Sequence, residues 1–253
     1  MGLRAATAGV FRTLVKPLGG DLRFTREDVP GLKGTGTGVE YWDQGLERRM
    51  PRYWELTWRG HVLVRMRSDH NERAYWRRRR DLVRLIDEMR AANLLPLLHP
   101  HSRVLESGCN VAQNLWEISR RWNCEIHGLD IDREALDQAA KRRWRKPAHF
   151  VHGNVLEPGT FEKFSDDQFD LVFTRWHLIH VPPGEAKRHY LRELKRIGRT
   201  GLILEPTSAA KMGQVEWRQA DTYCLSWDDW ESWYGLKRFS PKAQIPYTDV
   251  FYW

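Results

Sequence analysis

At 253 residues the chain is close to the upper end of what one hydrophobic core serves, so it fits one α/β domain with an extension, or two small domains. Apolar residues make up 41% and charged residues 29%, which excludes fibrous, collagen-like and wholly disordered proteins. The net charge is +8, and residues 1–100 hold 19 Lys and Arg against 12 Asp and Glu, so nearly all of the excess sits in that stretch. Such a field steers an anionic partner or simply solvates a surface.

No apolar run approaches the ~20 residues of a membrane helix, so no membrane partner is expected. The first twenty residues lack the apolar core and cleavage site of a secretory signal. Cys109, Cys124 and Cys224 are odd in number and far apart, which argues against a disulfide framework and for a cytoplasmic location.

In chain order, residues 1–40 read as a loosely ordered segment. Gly31, Gly34, Gly36 and Gly38 crowd eight positions, but no apolar strand leads in and no Gly-Lys-Ser/Thr follows. That pattern predicts a linker rather than a phosphate-binding loop. Residues 41–98 read as a helical, basic extension or lid. Trp54 and Trp58 share a face if their segment is helical. A helix is expected over 71–92, where Tyr75, Leu82, Leu85, Ile86 and Met89 repeat at helical spacing. Arg77 to Arg80 span all sides of it and suit a solvated face. Pro96 and Pro100 then mark a boundary, leaving 99–253 as the main domain.

Beyond Pro100 strands and helices alternate. Strands are expected at 103–106, 126–130, 149–152, 169–174 and 201–205. Helices are expected at 115–122, 133–143 and 185–197. A helix over 227–234 and strands over 236–239 and 247–253 finish the chain. The alternation predicts right-handed βαβ units and a mostly parallel sheet. The fold class is therefore α/β, Rossmann-like, with seven strands and an antiparallel last strand.

The segment from Val104 to Leu115 carries the chemistry. A strand ends in Glu106, Gly108 allows a tight turn, Asn110 tolerates positive φ, and a helix begins. Ligands of open α/β sheets bind at such strand ends. Asp130 closes the next strand, at about the spacing where an acid meets ribose hydroxyls. A dinucleotide site needs G-x-G-x-x-G, and here those positions read Gly108, Asn110 and Gln113. Glu106 would also repel a pyrophosphate. S-adenosylmethionine carries an ammonium and no phosphate, so the same acid favours it.

On these residues the chain resembles the class I S-adenosylmethionine-dependent methyltransferases over roughly 100–253. The departures are Asn110 and Ala112, where glycine is commoner. The run Gly108-Cys109-Asn110, followed by Asn114-Leu115, resembles small-molecule methylases associated with surface-sugar biosynthesis of the pseudaminic acid type. The resemblance implies S-adenosylmethionine as cofactor, held by Glu106, Gly108, Cys109, Asn110, Asn114, Asp130, Ile131, Asn154, Val155, Thr174 and Arg175. Asp130 would take the ribose, Ile131 the adenine face and Asn154 the adenine amino group. Trp176, Trp217 and Tyr223 are the candidate acceptor contacts, since aromatic walls suit sugar rings and flat metabolites.

Methyl transfer to a hydroxyl needs a base, and His177 and His180 follow the fourth strand of this domain. His177 comes first in the loop and is the first candidate. No Cys-x-x-Cys occurs and no acidic cluster stands beside the His pair, so no metal is expected. The expected reaction is O-methylation of a polar small molecule. One alternative is RNA or protein methylation through the basic N-terminal half. Arg and Trp interleave there as in base-stacking surfaces, but an Asn/Asp-Pro-Pro-Tyr motif is absent. The other alternative is a non-catalytic binding protein of the same fold. The oligomeric state is left open.

Overall fold

The structure, a computed structural model, describes the backbone of residues 20–26, 52–58 and 61–68. It also describes residues 80–253 apart from 182, 208–226, 243–244 and 246–247. The chain divides into two compact units, with the break before the long domain between Arg77 and Arg78.

The first unit contains an antiparallel sheet of β1 (Gly20–Arg26), β2 (Arg52–Trp58) and β3 (His61–Ser68), in that order. The register of β2 on β3 shifts between Leu56 and Thr57, which marks a bulge. Strands therefore stand where a helical extension was expected, and β1 lies inside the segment expected to be loose. The reason is visible in period two. Trp54, Leu56 and Trp58 alternate with Tyr53, Glu55 and Thr57, and aromatic and β-branched residues suit a pleated surface. A spacing of four, as between Trp54 and Trp58, fits a strand as well as a helix. The glycine-rich run at 31–38 lies outside the described residues.

The second unit begins with α1 (Arg80–Ala91), the described part of the helix expected over 71–92. Its buried Leu82, Leu85, Ile86 and Met89 join one core with Leu95, Leu98, Leu115 and Ile118. The expected boundary at residue 99 therefore falls before α1 instead. An amphipathic helix must bury its apolar stripe, and this one buries it in the domain that follows.

β4 (Arg103–Ser107), α2 (Gln113–Trp122), β5 (Glu125–Asp130), α3 (Arg133–Ala140) and β6 (Ala148–His152) come next. β7 (Leu171–Arg175), α4 (Glu185–Ile197), β8 (Gly201–Glu205), α5 (Trp227–Tyr234), β9 (Lys237–Phe239) and β10 (Asp249–Tyr252) complete the unit. The sheet order is β6-β5-β4-β7-β8-β10-β9. β4 to β8 are mutually parallel, and β10 runs antiparallel to both of its neighbours. This is the Rossmann-like, mostly parallel sheet with an antiparallel last strand that the alternation predicts. Apolar side chains cover both faces. Leu82, Leu115, Ile118 and Leu136 pack on one side, and Tyr190, Leu191, Leu194 and Trp230 on the other.

Local signals set the helix ends. Asp132 caps α3, its Oδ1 accepting from Ala135 N at 3.1 Å. α2 ends at Asn123, whose φ of +56° lets its N–H reach Ser119 O. Strand order reverses at β4, with β5 on one side and β7 on the other. The crevice at the carboxyl end of β4 is where ligands of such sheets bind.

Candidate active site

The turn after β4 uses positive φ at three alternate positions: +77° at Gly108, +49° at Asn110 and +53° at Ala112. Each turn residue pays some strain, least for Gly and little for Asn. The turn is fastened to β5, with the N–H groups of Gly108 and Cys109 both donating to Leu129 O, at 2.8 and 3.1 Å. Asn110 N donates to Asp130 Oδ2 at 2.6 Å, while Asp130 Oδ1 accepts from Asp132 N at 2.9 Å. Both oxygens of Asp130 are thus aimed by backbone amides. The carboxyl is half-buried, and the protein packed around it pushes it up to about 6.

Glu106 is buried at the end of β4, and Asn114 Nδ2 donates to its Oε1 at 2.5 Å. Glu106, Asn114, Gly108, Asn110 and Asp130 therefore meet in one place. Ile131 is half-buried beside them, and its carbonyl bonds His152 Nε2 at 2.9 Å. Cys109 is buried, with its Sγ hydrogen-bonded to Asn110 O, and burial holds its thiol well above the usual range. It fills space against Gly128, where a Cβ would stand 2.7 Å from Sγ.

Asn154 was expected to accept from adenine, but its Oδ1 already accepts from Leu156 N at 3.0 Å and closes a turn. Val155 is buried in the core. Thr174 is buried, with its hydroxyl on Glu205 Oε1 at 3.4 Å. Arg175 pairs with Asp81 in the first turn of α1 at 2.6 Å, which ties β7 to α1. Trp176 takes φ +54° and donates Nε1–H to Thr248 Oγ1 at 2.8 Å. Trp217 and Tyr223 lie outside the described residues.

The loop after β7 brings His177 onto the turn. A Cβ on Gly108 would stand 2.2 Å from His177 Cγ, so the imidazole lies directly on the glycine. His177 Nδ1 is 2.9 Å from Tyr190 Oη, and that hydroxyl donates to Ser107 Oγ at 2.6 Å. Tyr190 has one proton. With it given to Ser107, Tyr190 accepts from His177 Nδ1–H, and the lone pair of His177 rests on Nε2. The packed surroundings push His177 down to about 4, so the ring is neutral at neutral pH. His180 is buried in a short 3-10 turn, its N–H donating to His177 O at 3.0 Å. That placement suits a role in loop structure.

Glu205, at the end of β8, was not among the expected site residues. It is buried, and its Oε1 accepts from His177 N at 2.8 Å and Leu178 N at 2.9 Å. It thereby holds the His177 loop from below. Burial pushes Glu205 up to about 7, with the positive charge of Lys187 opposing. Lys187 is itself fully buried, its Nζ lying 5.2 Å from the centre of the Trp230 ring. Ser107, Tyr190 and Lys187 were likewise missed. The signal for Glu205 was available, since it is the third apolar strand of this domain to end in an acid, after Glu106 and Asp130. Tyr190 reads as ordinary core in a helical stripe.

Residues 104–201 match the family described as a methyltransferase domain. That match supports S-adenosylmethionine as the cofactor. Among curated proteins, 130 residues are 28% identical to the sterol 24-C-methyltransferase of Schizosaccharomyces pombe, covering 50% of this chain and 30% of that one. An uncharacterised Haemophilus influenzae protein is 28% identical over 107 residues, covering 40% of this chain and 41% of that one. The matched stretch thus spans less than half the length of either relative. Among solved structures, one similar chain comes from the Haloferax volcanii complex that contains the Trm112 methyltransferase activator. It has a TM-score of 0.50 and 16% identity, with 68% of this chain and 92% of that chain covered. A Pyrococcus horikoshii protein has a TM-score of 0.51 and 13% identity, covering 69% of this chain and 91% of that one. These two likenesses are of fold. No helix among the described residues is long and apolar enough to cross a membrane.

Proposed function

We propose that the domain from α1 to β10 transfers the methyl group of S-adenosylmethionine to an oxygen of a polar small molecule, a sugar, glycan precursor or other metabolite. The observation that carries this reading is the ring of His177 lying on the cofactor turn at Gly108, with Nδ1 engaged by Tyr190 and Nε2 left as the basic atom. The residues present fit the cofactor. Asp130 is half-exposed and aimed by two amides, which suits a pair of ribose hydroxyls, and Glu106 adds negative charge near a cationic ligand. The cofactor supplies a methyl group on a sulfonium. The chain would bind and orient it so that its carbon–sulfur bond breaks to leave a neutral thioether, and His177 Nε2 would accept the proton that the acceptor hydroxyl gives up. The resemblance to surface-sugar methylases supports a sugar-like acceptor.

Calorimetry with S-adenosylmethionine and S-adenosylhomocysteine tests the cofactor site. Micromolar binding is expected, weakened about tenfold or more in Asp130→Ala, which is a loss of about 1.4 kcal/mol. No binding to either at millimolar ligand would reject the enzyme reading in favour of a non-catalytic binding protein. The basic first hundred residues favour one rival, an RNA or protein acceptor. Binding to RNA that weakens steeply with salt, beside no turnover of small acceptors, would support it.

The pH dependence follows from the two perturbed groups. Asp130 loses its charge as pH falls through about 6, so cofactor affinity falls there. His177 protonates only near 4, because its folded value is depressed from 6.5. The acid limb of kcat at saturating cofactor is therefore expected near 4 and not near 6.5. A kcat limb at 6.5 that persists in His177→Ala would remove His177 as the base. Tyr190→Phe, which frees the Nδ1 proton of its acceptor, is expected to lower kcat with little change in cofactor affinity.

A further inference from the structure

At the opposite end of β5 from the cofactor turn, Glu125 and His127 stand two apart on one strand, so their side chains share a face. His149 on β6 is paired directly with His127 in the parallel register, which brings it to the same face. The His127 and His149 rings stack with centroids 4.8 Å apart. His127 Nε2 lies 2.8 Å from Glu125 Oε1, and His149 Nε2 lies 4.0 Å from the same oxygen. All three ligand atoms fall within 4.8 Å of one another.

We propose that Glu125, His127 and His149 form a binding site for a divalent transition-metal ion, distinct from the methyl-transfer site. Two imidazoles and one carboxylate make a donor set that Zn²⁺ accepts, with bonds of about 2.0–2.2 Å and water completing the tetrahedron. Mg²⁺ and Ca²⁺ want oxygen ligands and are poorly served by it. The geometry needs only a small adjustment. Ligand atoms of a tetrahedral ion stand roughly 3.3 Å apart, so the narrow gap between His127 and Glu125 must open and the two wider gaps close. His149 is more than half exposed and Glu125 is 40% exposed, so both can move without disturbing the core. His127 is the anchor, with its ring edge-on to Phe169 at 5.0 Å. Bound metal would staple the start of β5 to the start of β6.

The test uses the full chain, free of any tag and stripped with chelator, titrated calorimetrically with Zn²⁺. One equivalent with a micromolar Kd is expected. His149→Ala and Glu125→Gln, both at exposed positions, should each weaken it about tenfold or more, because each removes one protein ligand. His99→Ala with His101→Ala, at another pair of neighbouring histidine rings, should leave it unchanged. Co²⁺ should give the visible absorption of a tetrahedral site, lost in His149→Ala. Circular dichroism of each variant separates loss of ligand from loss of fold. No saturable uptake, or uptake that both His149→Ala and Glu125→Gln leave unchanged, overturns the proposal.

Discussion

Glu205→Ala is expected to lower the unfolding free energy by about 2–5 kcal/mol, chiefly because two buried amides lose their acceptor. Two effects add. The amides of His177 and Leu178 lose the oxygen that accepts from both, and each buried N–H left without an acceptor costs about 1–3 kcal/mol. Lys187 loses a carboxylate that favours its charge. Urea denaturation measures the loss. The double variant Glu205→Ala with Lys187→Met should recover only the share owed to the lysine, because the two amides still lack their acceptor. A single-variant loss below about 1 kcal/mol would show that neither the amides nor the lysine depend on this carboxylate. Since Glu205 holds the backbone of His177, the folded fraction should also show a lower kcat at unchanged cofactor affinity.

Gly108→Ala should abolish cofactor binding and destabilise the domain, through a clash more than through backbone strain. Left-handed backbone costs a non-glycine residue about 1–2 kcal/mol. Yet Ala112 already bears a φ of +53° four residues on in the same turn, so that strain alone is tolerable here. What Gly108 uniquely permits is contact with the His177 ring, whose Cγ would stand 2.2 Å from a new Cβ. No side chain can share that space, so either the turn or the histidine must move. The decisive control is Gly108→Ala with His177→Gly, because the Cβ of His177 would itself stand 2.7 Å from the new Cβ and must go with the ring. Removing the whole side chain should restore most of the melting temperature and of the cofactor affinity, leaving only the strain. If the double variant is no better than Gly108→Ala, the imidazole contact is not the cause. Ala112→Gly should by contrast be close to neutral, because relief of strain is offset by backbone entropy and a lost buried methyl.

Lys187 shows how a legible feature can pass unread. It stands three residues before Tyr190 and four before Leu191, so helical spacing alone puts it on the buried face of α4. A lysine there needs an anion, and Glu205 ends the next strand. The pair can be suspected from the text. That its carboxylate also receives the amides of the His177 loop cannot, because backbone amides carry no sequence signal.

The elements of the main domain, the parallel sheet and the acid-ended strands were determined by the sequence itself. Buried parallel strands read as continuous apolar runs, buried helices read at 3.6 residues per turn, and a turn next to a ligand needs Gly or Asn where φ is positive. Those signals are local, within ten residues or so. Residues 52–68 misled for the same reason, because a spacing of four fits a strand and a helix alike. The tertiary structure alone decided which distant residues share a proton or a carboxylate. It set His177 on Gly108 and Tyr190 between His177 and Ser107, turned Arg175 to Asp81, and brought His149 beside His127. Each of these pairs spans a strand register or a packed helix. The register is set by the burial of whole faces, and no single position along the chain records it.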